Sequence, residues 1–181
     1  KRTAEEILAR QEAIYQPEFR RMALHLGSAQ TAANDLPTDE RVKRVSAGAN
    51  DLGLQEMYFQ FARYLLISSS RPDGLPANLQ GIWAAGIDNP WGSKYTININ
   101  TEMNYWLAEP AGLGYATLPL INLIDMVRTP ASGTGTQVAR TYYGARGFVI
   151  HHNTDLWGDA DPIDGYQWGI WPMGGAWLSL Q

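Results

Sequence analysis

The sequence contains no cysteine. Neither a disulfide framework nor a thiolate metal site is therefore available, and cysteine usage leaves the redox compartment open. It also has no lysine- or arginine-rich run: 14 basic residues stand against 18 acidic ones, for a net charge of −4. Nucleic acid and anionic membrane surfaces need a concentrated positive face, so neither is an expected partner. Apolar runs are too short to cross a bilayer, and the chain opens at Lys1 without an apolar signal segment. An excised piece of a longer protein is the expectation. Its compartment stays undetermined, and a secreted or periplasmic parent is compatible with it. A ladder of alternating strands is missing too, which points to an all-α chain joined by long loops.

Aromatic residues are what the sequence has in excess, with 7 Trp and 9 Tyr. They gather between Tyr95 and Trp106 and again between Trp157 and Trp177. An aromatic face with a polar edge suits the C–H side of a sugar or the face of a base. With no basic groove beside them, sugar is favoured, although core packing accounts for at least half of these rings. The 181 residues suffice for one domain with a core.

Helical periodicity places elements along the chain. Residues 3–16 form a helix capped by Thr3, with Glu5 and Glu6 in its first turn. Pro17 interrupts it, and Phe19, Met22, Ala23 and Leu26 carry it on to Gly27. A polar loop then runs over 28–48. In the helix expected over 50–68, Leu54, Met57, Tyr58, Phe61 and Leu65 make an inward stripe opposite Glu56, Gln60 and Arg63. Residues 71–96 are a Gly- and Pro-rich connection with apolar anchors at Leu75, Leu79, Ile82, Trp83 and Trp91, the pattern of a functional loop over a pocket. Residues 116–128 read as a helix apolar nearly all round, hence buried among neighbours; 135–143 is another; one more begins at Gly175.

Between the loops lies PWGSKYTININTEMNYWLAEP, residues 90–110. Asn98, Asn100 and Glu102 alternate with Ile97, Ile99 and Thr101, so on an extended chain the three polar groups share one side. Met103 then starts a short helix. Glycoside cleavage uses two carboxyl groups about the scissile bond. The candidates are Glu102, Glu109, Asp155, Asp159, Asp161 and Asp164, and their spacing selects no pair. His151 and His152 are adjacent, point apart on an extended chain and make a poor ligand pair, so no metal is expected.

Four ordered blocks narrow this reading: LPTDER (36–41), YFQFARYLLISSSRPDGLPANLQGIW (58–83), residues 90–110 above, and HHNTDLWGDADPIDGYQWGIWPMGGAW (151–177). In order and spacing they resemble the catalytic domain of glycoside hydrolase family 95, the inverting 1,2-α-L-fucosidases. The resemblance implies an (α/α)6 barrel, of which residues 1–181 would be about the N-terminal half, because six helix pairs need roughly twice this length. It implies no cofactor. The partners it implies are a fucosylated oligosaccharide or glycan and the remainder of the parent barrel. The family's N-x-N pair falls on Asn98 and Asn100, making Asn100 the water-activating residue and Asn98 its companion. A carboxamide is a very weak base, so an aspartate must polarise it. By the same resemblance His151, His152, Asn153 and Asp155 line the sugar pocket and Trp177 forms an aromatic wall. The family's glutamic general acid and its polarising aspartate fall beyond position 181. Two alternatives stand beside fucose hydrolysis: an α-L-galactosidase of the same family, and a non-catalytic sugar-contacting fragment. The 181-residue chain alone is expected to hydrolyse little or nothing and to be marginally stable, since its apolar helix over 116–128 would lack neighbours. Calorimetry on the isolated chain checks this: a broad, low transition is expected, and a cooperative high-temperature melt would contradict it.

Overall fold

A computed structural model describes residues 1–27 and 32–181. Its contacts divide the chain into two units, Lys1–Leu65 and Leu66–Gln181. Residues 28–31 of the expected polar loop lie outside the described residues.

In the first unit polar groups, rather than apolar ones, carry the burial. Helix α1 (Ala4–Phe19) starts with a capping box: the Glu6 amide donates to Thr3 Oγ1 at 3.2 Å, and the Thr3 amide donates to Glu6 Oε2 at 2.9 Å. It runs through Pro17, which sits in the last turn and removes only one donor. The expected continuation to Gly27 does not form. Past Phe19 the chain leaves the helix, and the Arg63 guanidinium takes the freed carbonyls of Glu18 (3.1 Å), Phe19 (2.7 Å) and Met22 (3.1 Å). A cation is well placed among the unpaired carbonyls of a helix C-terminus.

That interaction reverses the expected facing of helix α3 (Leu52–Ser69). Arg63 is fully buried, whereas Tyr58 and Phe61 of the predicted inward stripe are 74% and 52% exposed. Hydrophobic periodicity cannot foresee this, because a buried arginine with several acceptors outweighs the stripe. Part of the expected loop is also a helix, α2 (Thr38–Ser46), with Asp39 and Glu40 at its start and Lys43 and Arg44 in its last turn, as the helix dipole favours. From α2, Arg41 grips Asp51 in two hydrogen bonds of 2.9 and 2.7 Å. These bonds pull the Asp51 carboxyl down to about 2. Asp51 Oδ1 also accepts from the Leu54 amide at 2.9 Å, capping α3.

The second unit holds an apolar core that includes Leu66, Ile97, Leu113, Leu120, Val127, Ile150 and Leu178. Its helices are α4 (Asn100–Tyr105), α5 (Leu118–Arg128), α6 (Gly135–Tyr143), α7 (Tyr166–Gly169) and α8 (Gly174–Leu178). Helix α5 is not covered all round: Leu120, Leu123 and Val127 face the core, while Leu118 and Ile121 are 40% and 53% exposed. One short antiparallel ribbon, missed in the sequence, pairs β1 (Tyr95–Thr96) with β2 (Asn153–Thr154). Two-residue strands are too short to leave a period-two signal. Gly174 brings α8 against the ribbon segment, since a Cβ there would collide with the carbonyls of His151 and Ile150.

Tyr105 ties the unit together. Its hydroxyl accepts from the Ala77 amide at 2.8 Å and lies 2.6 Å from Ser70 Oγ, which donates to the Ala116 carbonyl at 2.8 Å. Since Ser70 spends its proton on Ala116, Tyr105 donates to Ser70. A one-way chain results, from Ala77 through Tyr105 and Ser70 to Ala116, joining the end of α3, the 71–96 connection, α4 and the entry to α5. Removing the Tyr105 hydroxyl leaves a buried amide and a buried serine short of partners, each costing about 1–3 kcal/mol. Tyr105→Phe is expected to lower unfolding free energy by about 2–4 kcal/mol in chemical denaturation; a loss within about 0.5 kcal/mol, the range of surface substitutions, would contradict it.

Candidate active site

The ribbon sets the site. Directly opposed residues of an antiparallel pair put their side chains on one face. Thr96 is opposite Asn153, and both line a cavity of about 940 Å³. Tyr95 is opposite Thr154, and its side chain goes to the other face. The Ile97 amide donates to the His152 carbonyl at 2.7 Å, and Thr101 Oγ1 donates to the Thr96 carbonyl at 3.0 Å. Those two bonds fix the turn over 97–99 and the start of α4. Asn98 leaves the turn and Asn100 opens the helix, and both reach the same cavity. Lys94, Thr96, Asn98 and Asn100 line it in strict alternation. His152, Asn153 and Asp164 add polar groups; Trp91, Trp168 and Trp171 add aromatic surface.

Buried polar atoms face this space without protein partners. Among the described residues, Thr96 Oγ1, His152 Nδ1, Asn153 Oδ1 and Gln80 Oε1 are buried and accept or donate no hydrogen bond. Groups in that condition are met by ligand or water. His152 Nε2 stands 2.5 Å from Asn153 Nδ2 and 3.4 Å from Asp164 Oδ2, so one imidazole edge is held and the other is free for a ligand. Asp164 is the carboxylate of the lining, in a left-handed backbone conformation at φ 63°.

Three residues expected in the sugar pocket lie elsewhere. His151 is fully buried outside the cavity lining, with Nδ1 donating to the Ala160 carbonyl at 2.7 Å and Nε2 meeting the Tyr143 hydroxyl at 2.6 Å. With both ring nitrogens engaged, it braces the ribbon. Asp155 accepts from the amides of Trp157 (2.8 Å) and Asp159 (3.2 Å) and lines a second cavity. Trp177 packs edge-on against Trp171 at 6.0 Å, so Trp171 is the ring at the cavity and Trp177 supports it. Glu102 is also absent from the lining. Helix α4 begins at Asn100, three residues earlier than expected, and two residues along a helix is more than half a turn. Lys94 and Thr96 are additions to the expected site, and the Asn98–Asn100 alternation continued backwards by two and four residues reaches both.

The sequence matches the glycosyl hydrolase family 95 catalytic domain over residues 3–181. The chain belongs to glycosyl hydrolase family 95. It is 40% identical over 177 residues to Alpha-L-fucosidase 2 of Arabidopsis thaliana, covering 96% of this chain and 20% of that protein. It is 36% identical over 166 residues to Probable alpha-fucosidase A of Aspergillus niger, covering 91% of this chain and 20% of the relative. The chain thus spans about a fifth of the length of these curated relatives. Its all-α elements and long loops agree with a piece of the family 95 helical barrel.

Glu102 gives this family 95 segment a pH dependence. Its side chain is fully buried with neither carboxyl oxygen hydrogen-bonded among the described residues. Burial pushes its carboxyl from 4.5 up to about 7. The stability this neutral form supports is fully present below pH 4.5 and is lost as pH rises through about 7. The loss approaches about 3 kcal/mol once the folded state must carry the charge. Denaturation midpoints taken from about pH 5 to about pH 8 should fall in the native protein and stay nearly level in Glu102→Gln. Parallel pH profiles for the two proteins would contradict it.

Proposed function

We propose that this chain is the N-terminal half of the catalytic barrel of a longer enzyme, one that removes terminal α-1,2-linked L-fucose from oligosaccharides or glycans with inversion. The observation that carries the reading is the cavity in which Asn98 and Asn100 stand beside His152, Asn153 and tryptophan rings. The α-fucosidase names of the relatives support the sugar. In this reading the fucosyl residue sits against Trp171, and its hydroxyls satisfy Asn153, His152 and Thr96. Asn100 accepts from the attacking water and Asn98 holds it in line. Amide oxygens are poor bases, so the pair positions the water while a carboxylate draws away the developing charge. That carboxylate and the acid for the leaving oxygen come from the remainder of the barrel. Exposed apolar side chains on each unit, such as Phe61 in one and Ile121 in the other, support a larger assembly.

The test uses the full-length natural protein that contains these residues. Hydrolysis of a trisaccharide ending in α-1,2-linked L-fucose should release the β-anomer first, as followed by proton NMR. Asn100→Ala should lower kcat by about 100-fold or more with the fold retained, and Asn98→Ala by a smaller factor. A protein that releases no fucose, or an Asn100→Ala variant with native kcat, would overturn the proposal.

A further inference from the structure

Across the ribbon from the asparagines lies a second cavity, of about 750 Å³, within the range of ligand-binding clefts. Tyr95 faces it, as the alternation along β1 requires, and Lys94 at the start of the strand lines both cavities. Its charges balance: Arg71 and Lys94 stand against Asp73 and Asp155. A ligand of strong single charge is therefore disfavoured. The rest of the lining mixes hydroxyl and amide groups with exposed apolar side chains, among them Leu75 and Ile82, which are 56% and 60% exposed. Ser93 Oγ is buried there without a hydrogen-bond partner among the described residues. Outside the lining, the half-exposed ring of Trp83 lies against the lining residue Gly81, where an added Cβ would come to 3.0 Å from it. Neutral polarity together with apolar patches matches a neutral saccharide.

The wall between the cavities is strained. Trp91, Gly92 and Ser93 are consecutive residues at φ 53°, 64° and 52°, a conformation that only the glycine adopts readily. This turn delivers Trp91 to the first cavity and Ser93 to the second. Strain of this kind persists where surrounding structure enforces it, and it is concentrated at ligand sites. We propose that the second cavity is a glycan subsite: an oligosaccharide whose terminal sugar occupies the first cavity crosses Lys94 with its next two units and lays the units beyond them here. The proposal rests on the fucosidase reading for the identity of the terminal sugar; the second cavity's own chemistry supplies the rest.

Two readouts separate the claims. In the full-length protein, a longer neutral fucosylated oligosaccharide should show a KM about tenfold below that of the trisaccharide with the same terminus. Arg71→Ala and Ile82→Ser, both at exposed positions, should raise KM for the longer substrate about fivefold, with kcat and trisaccharide kinetics unchanged. Equal KM values for the two lengths, or variants that slow both substrates alike, would overturn the subsite. Calorimetric titration with the defucosylated oligosaccharide decides it independently of hydrolysis. Binding that is weakened in both variants supports the subsite, and absence of binding overturns it. A protein that binds this ligand but hydrolyses no fucoside would refute the fucosidase reading alone.

Discussion

The hydroxyl of Tyr105 is where the segments of the 66–181 unit meet. One proton-donating direction runs from Ala77 through Tyr105 and Ser70 to Ala116. None of those four groups has water to fall back on, because Ser70 and Tyr105 are almost wholly buried. A buried chain of this kind is satisfied completely or is expensive, and it therefore holds its members in one arrangement. Tyr105 is the last residue of α4 and Asn100 the first. Pinning one end of a six-residue helix pins the other, so the position of the Asn100 amide depends on a hydroxyl outside the cavity it serves.

The ribbon does a second kind of work. Two residues per strand contribute little stability, and no isolated hairpin of that length would survive in water. Their value lies in sorting side chains. Pairing Thr96 with Asn153 sends polar groups to the first cavity, while Tyr95 turns to the second. His151, held between Tyr143 and Ala160, and Gly174, pressed on the carbonyls of Ile150 and His151, keep β2 from shifting register. Side chains that seem to advertise chemistry thus serve as supports, and their neighbours are the ones that face the cavity.

Parts of both units could be read from residues alone. The cap at Thr3, the helices over 118–128 and 135–143, and the Asn98–Asn100 juncture all follow from local pattern, and the resemblance of four blocks to family 95 named the family. What escaped was set by long-range polar contacts. Arg63 inverted α3 because carbonyls more than forty residues earlier needed a donor. His151 and His152 look alike in sequence; only the ribbon decides that one is enclosed and the other faces the cavity. On an extended chain Glu102 shares a side with the asparagines, and the early start of α4 turns it away. Trp171 and Trp177 could not be told apart, since their edge-on packing brings one forward and sets the other behind.

The claim that the Tyr105 chain fixes the candidate site can be measured at one atom. Ala77 lies in an irregular connection, where amides ordinarily exchange with solvent at the rate of a mobile loop. Here its amide donates to Tyr105 and is buried. Native-state hydrogen exchange should therefore show the Ala77 amide opening with a free energy close to that of global unfolding of its unit. Exchange at a surface-loop rate, with the neighbouring helices still protected, would show that the hydroxyl does not hold these segments together.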